Sequence, residues 1–343
     1  MDPRSLIDGL VARRPAALAR AISIVENGRP GFEDLLTALH PRLGHAHRIG
    51  ITGPPGAGKS TLTQALVAAY RGAGLTVAVV AVDPTSPFTG GALLGDRIRM
   101  EASSLDDGVF IRSMATRGSL GGLAMSTREV CDVLDAAGFD RLLIETVGVG
   151  QSELDVATMA DSTVVVLVPE SGDGIQTLKA GIMEIADLFV VNKADRPGAE
   201  KLQHEIEVTL GIRKGNAYRR IRSHHGARLE RAARGEPAED SGWEPPVLLA
   251  TASRGEGIEP IQEALARHHG WMAEAGELER RRRQRLRLRT RAVVGRAVER
   301  WIWGETDLEA RIDERLDEMV AGRVSPYEVA SDAVALLKEG ART

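Results

Sequence analysis

Cysteine is nearly missing: Cys131 is the only one in 343 residues. No disulfide can close within the chain, and a reducing compartment is the expected environment. Neither sign of charge dominates, with 44 basic against 48 acidic side chains and a net charge of −4. No overall field therefore points to nucleic acid or a membrane surface, and partners must be recognised through local sites. Long apolar runs are absent as well, so no segment reaches the length that spans a bilayer. Asp2, Arg4, Arg13 and Arg14 interrupt the first apolar residues, which lack the apolar core of a secretory signal. The expected location is the cytoplasm.

Apolar residues, at 43%, are plentiful enough for a core, and the length suits one large domain with appendages or two domains. Gly53-Pro54-Pro55-Gly56-Ala57-Gly58-Lys59-Ser60 follows a short apolar run, Ile49 to Thr52. After it, Leu62, Ala65, Leu66 and Ala69 recur with helical spacing. A strand, a loop and a helix in that order carry the phosphate-loop pattern G-x-x-x-x-G-K-[ST]. Glycines let backbone N–H groups wrap phosphates, Lys59 reaches the outer phosphates, and the Ser60 hydroxyl meets Mg²⁺. The helix start, from Lys59 through Thr61, adds a dipole that favours anions. A glycine-rich turn with a chance lysine would require neither the serine nor the flanking strand and helix.

Further apolar runs at Thr76 to Val82, Val109 to Ile111, Leu142 to Ile144, Thr163 to Val168, Leu188 to Val191 and Val247 to Ala250 alternate with helical patterns. The expected fold is α/β, a three-layer phosphate-loop NTPase with a mostly parallel sheet covered on both faces. Ligands of such sheets lie at the carboxyl ends of the strands. Three signals fall there. Asp83 leaves the second run in Asp-Pro-Thr-Ser and can hold Mg²⁺, although that tetrapeptide also reads as a turn or cap. Glu145-Thr146-Val147-Gly148 puts a carboxylate on the Mg²⁺ shell and a glycine N–H near the terminal phosphate. Val149 stands where self-sufficient GTPases often carry a water-orienting glutamine, so intrinsic hydrolysis should be slow.

Asn192-Lys193-Ala194-Asp195 is an N-K-x-D pattern just past a strand. The Asp195 carboxylate can accept from guanine N1–H and its 2-amino group, a pair adenine does not offer. Asn192 can brace the phosphate loop, and Lys193 can lie across the base. The backbone N–H groups of Thr251, Ala252 and Ser253 follow the last strand and suit the guanine O6. These features choose GTP over ATP.

The chain divides into an N-terminal helical arm (1–45), the nucleotide domain (46–270) and a C-terminal helical region (271–343). The arm reads as a helix over 5–28 and a second to about Leu43, and it is expected to cover its own domain. Arg213 to Trp243 reads as an exposed insertion, and His224-His225 and His268-His269 as solvated surface pairs. The arginine run from Arg280 to Arg291 precedes an acidic segment, Glu305 to Glu318, so compensation between helices is preferred to nucleic-acid binding. A last helix spans about Pro326 to Lys338. Too few helices lie here to bury themselves, which suggests oligomerisation.

The whole set resembles the MeaB and ArgK-type GTPases, the SIMIBI-class phosphate-loop proteins associated with methylmalonyl-CoA mutase. The resemblance is carried by Val82-Asp83-Pro84-Thr85-Ser86, Gly90-Gly91, Leu94-Gly95-Asp96-Arg97, the stretch Glu145 to Glu153, and Ile185-Ala186-Asp187 leading into Asn192. It implies Mg²⁺ held by Ser60, Asp83, Asp96 and Glu145, and a loop in which Gln176 and Lys179 contact a mutase and support GTP hydrolysis. It also implies a homodimer through the C-terminal helices. The implied role is GTP-gated delivery of adenosylcobalamin to a cobalamin-dependent acyl-CoA mutase, or protection of that enzyme, alongside an adenosyltransferase. The Arg213 to Trp243 insertion is longer than the family pattern. Two alternatives stand beside this reading: a nickel-delivery GTPase, for which Cys131 has no adjacent histidine, and a transport-associated protein kinase, for which no substrate-hydroxyl base is evident.

Overall fold

The computed structural model describes residues 3–84, 106–116, 122–146, 155–169, 182–213 and 242–340. They form two compact units, Met1–Arg282 and Arg283–Thr343.

In the first unit, seven parallel strands make one sheet: β1 (His47–Thr52), β2 (Val77–Pro84), β3 (Val109–Thr116), β4 (Arg141–Thr146), β5 (Ser162–Leu167), β6 (Leu188–Asn192) and β7 (Val247–Ala250). Their spatial order is β3-β2-β4-β1-β5-β6-β7. All seven expected strands are present. Every residue of β5 and β6 is buried, as central parallel strands covered on both faces require.

Strand alternation sorts the core into layers. Ala78, Val80 and Val82 of β2 join a cluster with Leu134 and the arm residues Leu18, Ala21, Ile22 and Val25. Val77 and Val79 face the other way, toward Leu62, Leu66, Ile261 and Leu265. The first layer is built by helices α1 (Pro3–Val11), α2 (Pro15–Glu26), α3 (Phe32–Leu39) and α5 (Gly122–Ala136). The second is built by α4 (Lys59–Gly72) and α8 (Ile258–Glu274). A short helix α6 (Ile182–Ile185) and α7 (Ala199–Arg213) enclose a third cluster around Phe189 and Ile206. The arm thus covers its own sheet, as expected.

The arm is not one helix over 5–28. Arg13 adopts a left-handed φ of 51° and Pro15 opens α2. The proline ring excludes a helical Arg14, so the chain stops after α1 and restarts. Where the arm meets β1, the Asp135 carboxylate accepts the N–H groups of Gly44, His45 and Ala46 at 3.0 to 3.1 Å, and Arg48 bonds it at 2.8 Å.

Helix α9 (Glu277–Glu305) begins in the first unit and continues into the second, which also contains α10 (Leu308–Glu314), α11 (Leu316–Val320) and α12 (Pro326–Gly340). The acidic segment expected to be one amphipathic stretch is split at Arg315, which pairs with Glu318 at 2.7 Å and with Asp332 at 3.7 Å. Ser325 and Glu328 close a reciprocal capping box at the start of α12.

Candidate functional site

The order reverses around β1, whose neighbours are β4 and β5, and the phosphate loop leaves its carboxyl end at that switch point. Gly53 has a φ of 139°, and a Cβ there would lie 2.1 Å from the Val166 carbonyl of β5. Gly58 caps α4 with a φ of 84°. Only glycine accepts both the conformation and the close approach. Pro54, Pro55, Gly56 and Ala57 complete the turn. The buried Lys59 folds back across it, donating from Nζ to the Gly53 and Pro54 carbonyls at 2.8 and 3.0 Å. Thr61 lies in the first turn of α4 beside Ser60.

The Ser60 hydroxyl donates to Glu145 Oε1 at 2.5 Å. Glu145 is buried near the end of β4, aligned with Ile51 of β1 and Ala81 of β2. The next residue, Thr146, donates from Oγ1 to Thr52 Oγ1 at 3.1 Å, tying β4 to the root of the phosphate loop. A hydroxyl and a carboxylate set together at the sheet's carboxyl end are hard oxygen donors of the kind Mg²⁺ takes. The backbone of Asp83 lies in the same direction, two residues beyond Ala81 in β2. Asp96, Gly148, Gln176, Lys179, His224, His225 and the side chain of Asp83 lie outside the described residues.

The N-K-x-D segment is joined to the phosphate loop by Asn192. Its Nδ2 donates to the Ala57 carbonyl at 2.8 Å, while its Oδ1 accepts the Ala252 N–H at 3.1 Å. Lys193 then turns the chain with a φ of 57°. Among the described residues the only other non-glycine in this conformation is Arg13. Asp195 follows, partly exposed, with Arg254 Nη2 3.4 Å from its Oδ2. Thr251, Ala252 and Ser253 do lie at this end, but the Thr251 N–H is committed to the Glu256 carbonyl and that of Ala252 to Asn192. Two of the three N–H groups expected to suit the guanine O6 are thus bonded within the protein.

Sequence reasoning missed a second polar cluster, at the opposite end of the sheet. His47 at the start of β1 and His268 of α8 flank the Ser162 hydroxyl, with His47 Nε2 at 2.8 Å and His268 Nδ1 at 2.7 Å. His268 Nε2 lies 3.3 Å from Asp187, which Arg281 also grips through both carboxylate oxygens. Trp243 packs on His268 and donates from Nε1 to the Asp187 carbonyl at 2.7 Å. His268 is fully buried and Trp243 is packed, which corrects the solvated and exposed readings given to them. Burial, then the neighbouring His269, holds the His47 pKa well below its ordinary value. For Asp187, burial raises the pKa, but the adjacent His268 and the hydrogen bonds from Arg281 outweigh it and hold the carboxyl below its usual range. The only signal in the sequence was a polar residue at or near the foot of three of the apolar runs, His47, Ser162 and Asp187.

A phosphate loop at the switch point of a parallel sheet, braced to an N-K-x-D turn, defines a guanine-nucleotide-binding phosphate-loop hydrolase. More narrowly, the chain belongs to the family described as methylmalonyl-CoA mutase-associated GTPase MeaB, whose family model matches residues 18–307. It is 43% identical to a Pyrococcus horikoshii protein named as a GTPase, over 95% of each chain. It is 36% identical to GTPase ArgK of Escherichia coli, covering 77% of this chain and 75% of that one. A solved structure described as LAO/AO transport system kinase superposes with a TM-score of 0.65 at 27% identity, covering 98% of this chain and 97% of that one. The protein is a GTPase, and GTP is its substrate.

Proposed function

We propose that GTP hydrolysis by this protein serves as a chaperone switch for a cobalamin-dependent acyl-CoA mutase, gating adenosylcobalamin loading and protecting the loaded enzyme. Membership of a family described as mutase-associated carries this reading. Methylmalonyl-CoA mutase or a relative is the partner, and an adenosyltransferase is a second. The C-terminal helical region (271–343) joins two copies, and the work is done in the cytoplasm.

Hydrolysis adds water to the γ-phosphorus and breaks its bond to the β–γ bridging oxygen, releasing GDP and phosphate. Lys59 supplies positive charge to the outer phosphates, and the α4 N-terminus adds its dipole. Ser60 and Glu145, joined by Asp83 and Asp96, would hold Mg²⁺, which when bound would supply positive charge beside the phosphoryl oxygens. Gly148 meets the terminal phosphate. Asn192 keeps the phosphate loop and base loop in register, Lys193 covers the base, and Asp195 reads its edge. Val149 has no group to orient water, so turnover is slow until a mutase sets Gln176 and Lys179 in place. The switch draws its energy from the partner's different affinity for the two nucleotide states, since equal affinity would shift nothing.

Single-turnover GTP hydrolysis, measured with and without candidate mutases and with ATP as control, tests this reading. Strong stimulation by one mutase, lost in Lys179→Ala while GTP binding persists, is the expected result. Fast hydrolysis with no mutase present would refute partner-completed catalysis.

A further inference from the structure

We infer that Arg254 is a positioning residue for guanine recognition: it holds the Asp195 carboxylate so that both oxygens face the base edge. This rests on the reading of Asp195 as the guanine-reading carboxylate. Arg254 Nη2 lies 3.4 Å from Asp195 Oδ2, and among the described residues this is the only polar side-chain contact for either group. One Arg254 hydrogen bond uses one lone pair of Oδ2, leaving the rest of Oδ2 and all of Oδ1 as acceptors for a two-donor edge.

The placement of Arg254 is fixed by its backbone. Thr251 donates to the Glu256 carbonyl at 3.0 Å, and the Arg254 N–H returns to Thr251 at 2.9 Å. Gly255 closes the short helical turn Ala252–Arg254 with a φ of 72°. Gly257, with a φ of 78°, runs so close to β7 that a Cβ would lie 2.3 Å from the Leu249 carbonyl. The facing loop is locked to the same strand, since the Ala194 N–H donates to the Ala250 carbonyl at 3.0 Å and Asn192 holds Ala252. Two loops clamped to one strand end thus present a guanidinium and a carboxylate to each other. The pair is exposed on the Arg254 side, at 60%, so its stabilising effect is small and its use is orientation.

The test is equilibrium binding of GTP and ITP, with Mg²⁺, to the full chain and its variants. Inosine lacks the 2-amino group, so it offers the carboxylate one donor where guanine offers two. Arg254→Ala is expected to weaken GTP binding about two- to five-fold, the size an exposed ion pair supports. ITP should weaken less, because a single hydrogen bond tolerates a rotated carboxylate. The GTP-to-ITP preference therefore falls, at unchanged melting temperature, and Arg254→Lys recovers part of it. A general loosening of the site would weaken both nucleotides alike and leave the preference intact, which would overturn the inference. Tighter GTP binding in Arg254→Ala would overturn it too, by showing that the guanidinium competes with the base. Asp195→Ala is the control: an unchanged GTP-to-ITP preference in that variant would remove Asp195 from base reading, a failure distinct from that of Arg254.

Discussion

At Gly58 two distant parts of the sequence meet, and a methyl group is too large to fit between them. A Cβ there would stand 2.4 Å from Asn192 Nδ2, in a backbone with a φ of +84°. Gly58→Ala must push the Asn192 amide off the Ala57 carbonyl, beyond the roughly 1–2 kcal/mol of left-handed strain. Gly56 has a φ of +74° but nothing within 4 Å of its would-be Cβ, so Gly56→Ala carries strain alone. GTP affinity should fall at least ten-fold further in Gly58→Ala than in Gly56→Ala, and titration of both variants decides it. The motifs spelled out the glycines and the bracing by Asn192, but the close contact that bars a methyl group at Gly58 was not legible, because spacing along the chain does not encode interatomic distances between loops. Ser60→Ala has a different signature. It deprives the buried Glu145 of the hydroxyl at 2.5 Å. The expected effect is a stability loss of about 1–3 kcal/mol, together with loss of Mg²⁺-dependent GTP binding. Denaturant midpoints and a Mg²⁺ titration would check the two parts separately.

Among the elements, the strands were legible because burial on both faces leaves continuous apolar runs, and their alternation with helical patterns is what a parallel sheet demands. The foot of the sheet was not legible, since its polar groups come together from β1, β5, β6 and α8. Two predictions belong there. Arg48 lies 2.8 Å from both Asp132 and Asp135, all three shielded from solvent. Arg48→Met removes the guanidinium that bridges the two carboxylates and should lower stability by about 3–5 kcal/mol in urea unfolding. His47 supplies a pH dependence. Burial and then His269 lower its pKa, Arg141 and His268 add to that, and Asp161 opposes it. Below its ordinary value of 6.5 the unfolded chain takes up a proton that the folded chain refuses. Stability therefore rises with pH across this window, is complete above it, and is lost as pH falls toward the folded pKa. The lowered carboxyl groups of Asp140 and Asp187 act in the same sense at lower pH, in the ordinary carboxylate range. His47→Gln should flatten the melting-temperature profile between about pH 6.5 and 5.5. A profile as steep as the native one would exclude His47 as its source.

For the molecule as a whole, the second unit poses the question of how it stays folded. Helix α9 buries none of its residues, and in α10 to α12 the buried apolar side chains are Leu308 and Val329. Leu286, Val294, Val298 and Trp301 recur at near-helical spacing on α9 and are all exposed, as are Leu316, Val320, Tyr327 and Leu336 beyond it. A helix without a buried face does not offset the entropy of ordering it, and a unit this small lacks the core to do so alone. The proposed homodimer resolves this by burying those residues against a second copy, which needs no charge complement because the exposed stripe is apolar. Sedimentation equilibrium should then give twice the 36.8 kDa chain mass at micromolar concentration. Val298→Glu combined with Trp301→Glu should give a monomer that still binds GTP, because the first unit has its own core on both faces of the sheet. A native chain that sediments as a monomer, or a double variant that remains dimeric, would mean that these helices serve another surface.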